Sequence, residues 1–265
     1  MLDTRLVGRD KQLELATYFA TGEFDIQAYA ADIGDSARTL LGVNQREWLF
    51  NQFSNSATWQ VLGQQVLMGT MELPTAIVTQ QLSISEFAEL AQLAQLAATT
   101  PELLTPEQQL LLADKAHLLQ LGALPYNLDA WDGYPVERAL LLNAAKAAGA
   151  ELVVLAGDTH NAWHNQLSLN GDRVATELGV PSITSPGLET YLGLKDNLQV
   201  EQTEQGLVQL IENLQYTNLA DRGYLVATFT PEYCDAEFIF VEGIGRQSYQ
   251  VLTERNHSVR IAKTV

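Results

Sequence analysis

The chain has 265 residues, 46% of them hydrophobic, with 15 Lys+Arg against 32 Asp+Glu and a net charge of −17. That length holds one large domain or two small ones, and the apolar share suffices for a sizeable core. The acidic balance excludes a nucleic-acid backbone or an anionic membrane surface as partner, because both need clustered cations. Cys234 is the single cysteine, so an intrachain disulfide and a Cys-rich metal site are excluded too. No uncharged apolar run reaches about 20 residues, so no transmembrane helix is expected. No signal peptide is visible, since Asp3 and Arg5 follow Met1 at once.

Residues 1–6 (MLDTRL) read as the end of a strand, and residues are expected to precede them. Residues 10–20 suit a helix with Asp10 as N-cap. Residues 44–53 suit another, with Trp48, Leu49 and Phe53 on its buried face. Residues 59–69 (WQVLGQQVLMG) read as a strand. Residues 70–124 read as a helical insertion into a single domain, 1–265, whose amino-terminal part is missing. In it, Ser85-Glu86-Phe87 opens an Ala/Leu helix. Thr105, Pro106 and Gln108 make a capping box for the next, and Gly122 closes it.

Residues 125–135 are a loop, and residues 136–148 form a helix ended by Gly149. Residues 151–156 (ELVVLA) are the buried strand of an α/β unit. Asn170-Gly171 marks a hairpin turn. After a tight loop at 181–187, the polar stretch 193–221 is partly helical. Two strands then flank Thr230-Pro231-Glu232, and a last strand pair is expected around Asn256-His257.

The sharpest chemical signal is Gly157-Asp158-Thr159-His160, at the carboxyl end of the buried strand. Ligands collect at such strand ends in open α/β sheets. A carboxylate and an imidazole two residues apart suit a hard or borderline cation. The same residues also suit a turn cap and a hydrogen-bonded loop histidine. His164 shares one face with His160 on a strand, or is simply an exposed polar residue. Trp131-Asp132-Gly133-Tyr134 either borders a pocket or packs a loop. Asp3 and Arg5 read as an ion pair or as a phosphate contact. Ser182 and Ser185 lack a nucleophile elbow, and no phosphate-binding P-loop occurs. Cys234 reads as a core thiol beside Phe238 and Phe240.

In order, the stretches LDTRLVGRDKQL, RTLLGVNQREWLFNQF, WQVLGQQVLM, PYNLDAWDGYPVER, LVVLAGDTHNAW, VATELGVPSITSPG and NLADRGYLVATFTPE form a pattern. It resembles the PhoD-like alkaline phosphatases of the calcineurin-type metallophosphoesterase superfamily. The resemblance covers residues 2 to about 232, and GDTHNAW followed by TSPG is its most specific part.

The resemblance implies an α/β fold of four layers, α-β-β-α, in which two sheets face each other between helices. It implies hydrolysis of phosphate mono- or diesters at a dinuclear metal site, with iron and calcium as the associated metals. Asp158 and His160 inherit the role of metal ligands, and catalytic residues beyond them are not assigned. Trp131 and Tyr134 inherit a place near the substrate. The expected partner is a phosphate ester, and the expected location is periplasmic or extracellular. The family's amino-terminal ligands have no counterpart here, and two ligands do not complete a two-metal site. The alternative expectation is therefore a non-catalytic chain, or a module that pairs with a separate ligand-bearing half.

Overall fold

The computed structural model describes residues 1–19, 24–54, 57–245 and 247–263. A 3-10 turn at Leu15–Phe19 precedes α1 (Ile26–Ile33), α2 (Val43–Gln52), β1 (Gln60–Gly63), β2 (Glu72–Pro74), α3 (Thr75–Val78), α4 (Ile84–Thr99), α5 (Pro106–Lys115) and β3 (Ala123–Pro125). Then come α6 (Pro135–Ala147), β4 (Leu152–Ala156), β5 (Ala162–Leu169), β6 (Asp172–Gly179), α7 (Leu188–Tyr191), α8 (Asn197–Leu210), β7 (Leu214–Asn218), β8 (Arg222–Phe229), β9 (Tyr233–Val241) and β10 (His257–Ala262).

The central sheet is mixed, in the order β1-β4-β6-β5-β7. β1, β4 and β6 run parallel, while β5 is antiparallel to both β6 and β7. The pleat sorts its side chains. Leu152, Val154, Leu167 and Ala175 face a core closed by Leu49 of α2, Phe53 at its C-cap, and Leu141, Leu142 and Ala145 of α6. Val153, Ala162 and Leu178 point the other way, onto Cys234, Ala236, Phe238, Phe240 and Ile261 of the antiparallel sheet β10-β9-β8. Two sheets therefore face each other, with helices behind the larger one. Burying Phe238 and Phe240 between them contributes about 1.5–3 kcal/mol each. Tyr224 and Val226, on the outer face of the smaller sheet, are 45% and 44% exposed.

Local chemistry explains the elements that were legible. Ser83 with Glu86 caps α4, and Thr105 with Gln108 caps α5, each as a complete capping box. Gly122 and Gly149 take left-handed backbone at φ 73° and 62°. Asn170 and Gly171, at φ 53° and 85°, make the primed turn that joins β5 to β6. β2 pairs with β3, so the two ends of the helical segment meet. No helix among the described residues is long and apolar enough to cross a membrane.

Five expectations change. Residues 1–6 form no strand, since the N–H groups of Asp3 and Thr4 go to the side chains of Gln45 and Gln65 and not to a ladder. Residues 10–14 are irregular and only Leu15–Phe19 is helical, because Asp10 exchanges hydrogen bonds with Thr39 instead of capping a helix; residue 20 lies outside the described residues. Trp48 is 50% exposed, while Leu49 and Phe53 carry the buried stripe of α2. The strand over 59–69 stops at Gly63, since the amides of Met68 and Gly69 turn to the Glu177 carboxylate. The final pair is a single strand, β10, on β9, with an isolated bridge from Val251 to Val241.

Candidate functional site

The carboxyl ends of β1, β4 and β6 lie side by side, and the loops that leave them converge. Gly157 N–H donates to Gln65 O at 3.1 Å, which ties the loop after β4 to the loop after β1. Val180 N–H donates to Ala156 O at 2.8 Å, which holds the loop after β6 against the same strand end.

Asp158 and His160 sit on this loop, both with left-handed backbone, at φ 71° and 63°. Neither is glycine, so the conformation costs on the order of 1–3 kcal/mol each and persists only because its surroundings impose it. Those surroundings are visible. Thr159 Oγ1 accepts from Trp163 Nε1 at 2.9 Å, and Asn161 Nδ2, fully buried, donates to Leu219 O at 2.6 Å. His160 Nδ1 lies 3.0 Å from Pro186 O. A carbonyl accepts only, so Nδ1 carries the proton and the Nε2 lone pair is left for an electrophile.

The partner of Asp158 comes from the start of the chain. Arg5 bridges two carboxylates, with Nη2 on Asp158 Oδ2 and Nη1 on Asp129 Oδ2. Arg9 binds Asp129 from the other side, through its carboxylate and its carbonyl oxygen, the latter at 2.8 Å. Asp3 does not pair with Arg5 as an ion. Its carboxylate accepts from the backbone N–H groups of Arg5 and Leu6, both at 2.8 Å, and these bonds lower its pKa. The choice between ion pair and phosphate contact thus resolves into a turn at Asp3 and a bridge at Arg5.

Trp131 and Tyr134 are fully buried. Trp131 Nε1 donates to Gln64 Oε1 at 2.7 Å, and Tyr134 OH donates to Asp10 O at 2.6 Å, with the guanidinium groups of Arg9 and Arg38 against its ring. They hold the loop that presents Asp129. Asp132 is buried behind them and accepts from Met71 N–H at 2.7 Å; burial pushes its carboxyl up to about 7. Glu177, also buried, is raised by the same cause, and Arg138 beside it is lowered.

His164 does not join His160. The pleat of β5 sends it between the sheets, where its ring lies 5.8 Å from that of His257. Burial first, then the nearby His257 and Arg173, lower its pKa to about 4. A cavity of about 330 Å³ opens beside Pro186, lined by Thr184, Ala220, Asp221, Arg222, Glu242 and Ile244 among others.

Among the described residues, no group of three or more His, Cys, Asp or Glu side chains is arranged to hold a metal ion. Asp158 and His160 nevertheless fit part of such a site: one oxygen donor and one oriented imidazole nitrogen, both at the carboxyl end of the parallel strands β1, β4 and β6. Asp129 was missed in the sequence. It shares a loop with Asp132, and nothing local tells which carboxylate turns outward.

Comparison with known proteins gives the family and the fold. The family described as PhoD-like phosphatase matches residues 1–238. Alkaline phosphatase D of Bacillus subtilis (strain 168) is 26% identical over 209 residues, covering 76% of this chain and 26% of that protein. A solved structure, described as "Structure of PhoD", superposes with a TM-score of 0.56 at 21% identity, covering 89% of this chain and 38% of the other. At that identity the likeness speaks for the fold. The chain thus spans about a quarter of the length of its curated relative, 26%. With the family match running through the strand-end loop and the Arg5 segment alike, the chain belongs to the PhoD-like phosphatase family.

Proposed function

We propose that this chain contributes to a metal-dependent phosphoesterase that hydrolyses phosphate mono- or diesters, with Asp158 and His160 as two of the metal ligands. The observation that carries it is the pair of left-handed, non-glycine donors at the carboxyl end of β4, within a PhoD-like match. His160 presents Nε2 because Pro186 O takes the proton on Nδ1. Asp158 has one carboxylate oxygen, Oδ2, on Arg5. Iron and calcium are the cations this reading expects, and when bound they supply Lewis-acid polarisation of the phosphate and offset charge on the leaving oxygen. Further donors complete the set from outside the two found here.

The four-layer arrangement, and the treatment of residues 70–124 as an inserted helical element, belong to the same reading; the two facing sheets and the paired strands β2 and β3 support them. Trp131 and Tyr134 act through the loop they hold, as their burial favours. The test is hydrolysis of p-nitrophenyl phosphate and its bis-ester, with metal content, in the protein and in Asp158→Ala and His160→Ala. Both variants should lose activity by more than about 100-fold, together with bound metal. Wild-type-like turnover and metal content in both would reject the assignment.

A second reading is a chain that works only with a separate ligand-bearing half, favoured by its span of 26% of the curated relative. Activity that appears only on mixing two chains would establish it.

A further inference from the structure

We propose that Arg5 is the positioning residue that aims Asp158, and that Asp129 and Arg9 exist at this end of the sheet to hold Arg5 in place. The inference rests on the reading of Asp158 as a ligand and adds the device that presents it.

The geometry runs from the backbone outward. Thr4 is fully buried, and its N–H and Oγ1 both donate to Gln65 Oε1, at 2.9 and 2.6 Å. The carbonyl of the same Gln65 accepts from Gly157 N–H. The residue before Arg5 and the residue before Asp158 therefore hang on one glutamine, which fixes their separation. The Asp3 turn then directs the Arg5 side chain. Its two terminal nitrogens reach different carboxylates, Asp129 and Asp158. Asp129 is itself immobilised by Arg9 and by its own N–H on Asn127 Oδ1 at 3.0 Å. Arg9 closes the ring with a bond to Thr4 O at 3.2 Å.

A lone ion pair of this exposure contributes little. Here both guanidinium ends are engaged and the acceptor is a residue with left-handed backbone. The planar fork of arginine can span two carboxylates where lysine reaches one. The consequence is directional: Oδ2 of Asp158 is held on Arg5, so the carboxylate cannot rotate freely at the strand end.

The experiment uses this chain and its Arg5→Gln, Arg5→Lys, Asp129→Asn and Asp158→Asn variants. Hydrogen exchange is read over residues 157–161, with β4 as the internal control for folding. Mn²⁺ is titrated as the probe cation, its free ion followed by electron paramagnetic resonance. Arg5→Gln and Asp129→Asn should speed exchange at 157–161 about tenfold and leave β4 unchanged. Arg5→Lys should restore part of the protection. The Mn²⁺ dissociation constant should rise roughly 10–100-fold in Arg5→Gln, as for loss of a residue that orients a ligand. Unchanged exchange at 157–161 in Arg5→Gln overturns the proposal, and so does tighter Mn²⁺ binding, which would make Arg5 a competitor. If Asp158→Asn loses Mn²⁺ while Arg5→Gln keeps it, the proposal falls and the metal reading stands. If exchange loosens in Arg5→Gln but Mn²⁺ binding ignores Asp158→Asn, Arg5 keeps its positioning role and the metal reading falls.

Discussion

Replacing Asp132 by Asn should change how the stability of this protein depends on pH. Asp132 is 6% exposed, accepts from Met71 N–H, and has its carboxyl raised by burial from 3.8 to about 7. Between those values the folded chain keeps a proton that the unfolded chain has released. The unfolded state binds fewer protons there, so stability falls as pH rises from about 4 to about 7. A shift of about 3 units corresponds to at most about 4 kcal/mol, reached above pH 7. Asn keeps the acceptor for Met71 and carries no charge at any pH. The assay is urea unfolding of both proteins at about pH 4 and about pH 8. Contributions from Glu72, Glu177 and Arg138 are common to both chains and largely cancel in the comparison, though their closeness to Asp132 leaves some coupling. The variant should match the wild type at the acid end and gain up to about 4 kcal/mol on it at the alkaline end. An equal difference at the two pH values would show that Asp132 titrates alike in the folded and unfolded chains, and the burial argument would be refuted.

Other substitutions probe the rest of the frame. Glu137→Ala removes a buried carboxylate that accepts from Leu40 N–H, Leu41 N–H and Thr39 Oγ1 and pairs with Arg46; it should cost about 3–5 kcal/mol in urea unfolding, and a midpoint near the wild type would contradict this. His164→Asn should flatten the acid limb of stability. The His164 pKa is lowered to about 4, below its ordinary 6.5, so wild-type stability is lost as pH falls from about 6.5 toward 4, by up to about 3 kcal/mol; an unaltered limb in the variant would remove the inter-sheet histidine from the account. Gly133→Ala would place a Cβ 2.0 Å from Leu128 O, so the loop carrying Asp129 must shift; slower exchange or unchanged stability in that variant, where loosening of residues 127–134 is expected, would show that the loop tolerates it.

Much of the fold was legible where one short stretch holds all the physics. The capping residues of α4 and α5, the Asn170-Gly171 turn and the apolar run of β4 each act on neighbours within a few positions. The GDTH loop could be placed at a strand end for the same reason. The helix failed over residues 10–14 because the start of the segment was held by remote partners: Asp10 by Thr39 and the preceding Arg9 by Asp129. Trp48 failed because an apolar side chain on an amphipathic helix can lie at the rim of the stripe.

The candidate site divides along the same line. Residue type, spacing and the strand before them are local properties, so Asp158 and His160 could be singled out as candidates from four adjacent letters. Their partners are not local. Arg5 reaches Asp158 and Asp129 across more than a hundred positions of chain, and His164 is turned away from His160 by the pleat of β5. Whether a carboxylate is buried, as at Asp132, or turned to the crevice, as at Asp129, depends on which loops close over it. Local spacing chooses the chemistry of a side chain; the packing of distant segments chooses its direction, its partner and its charge.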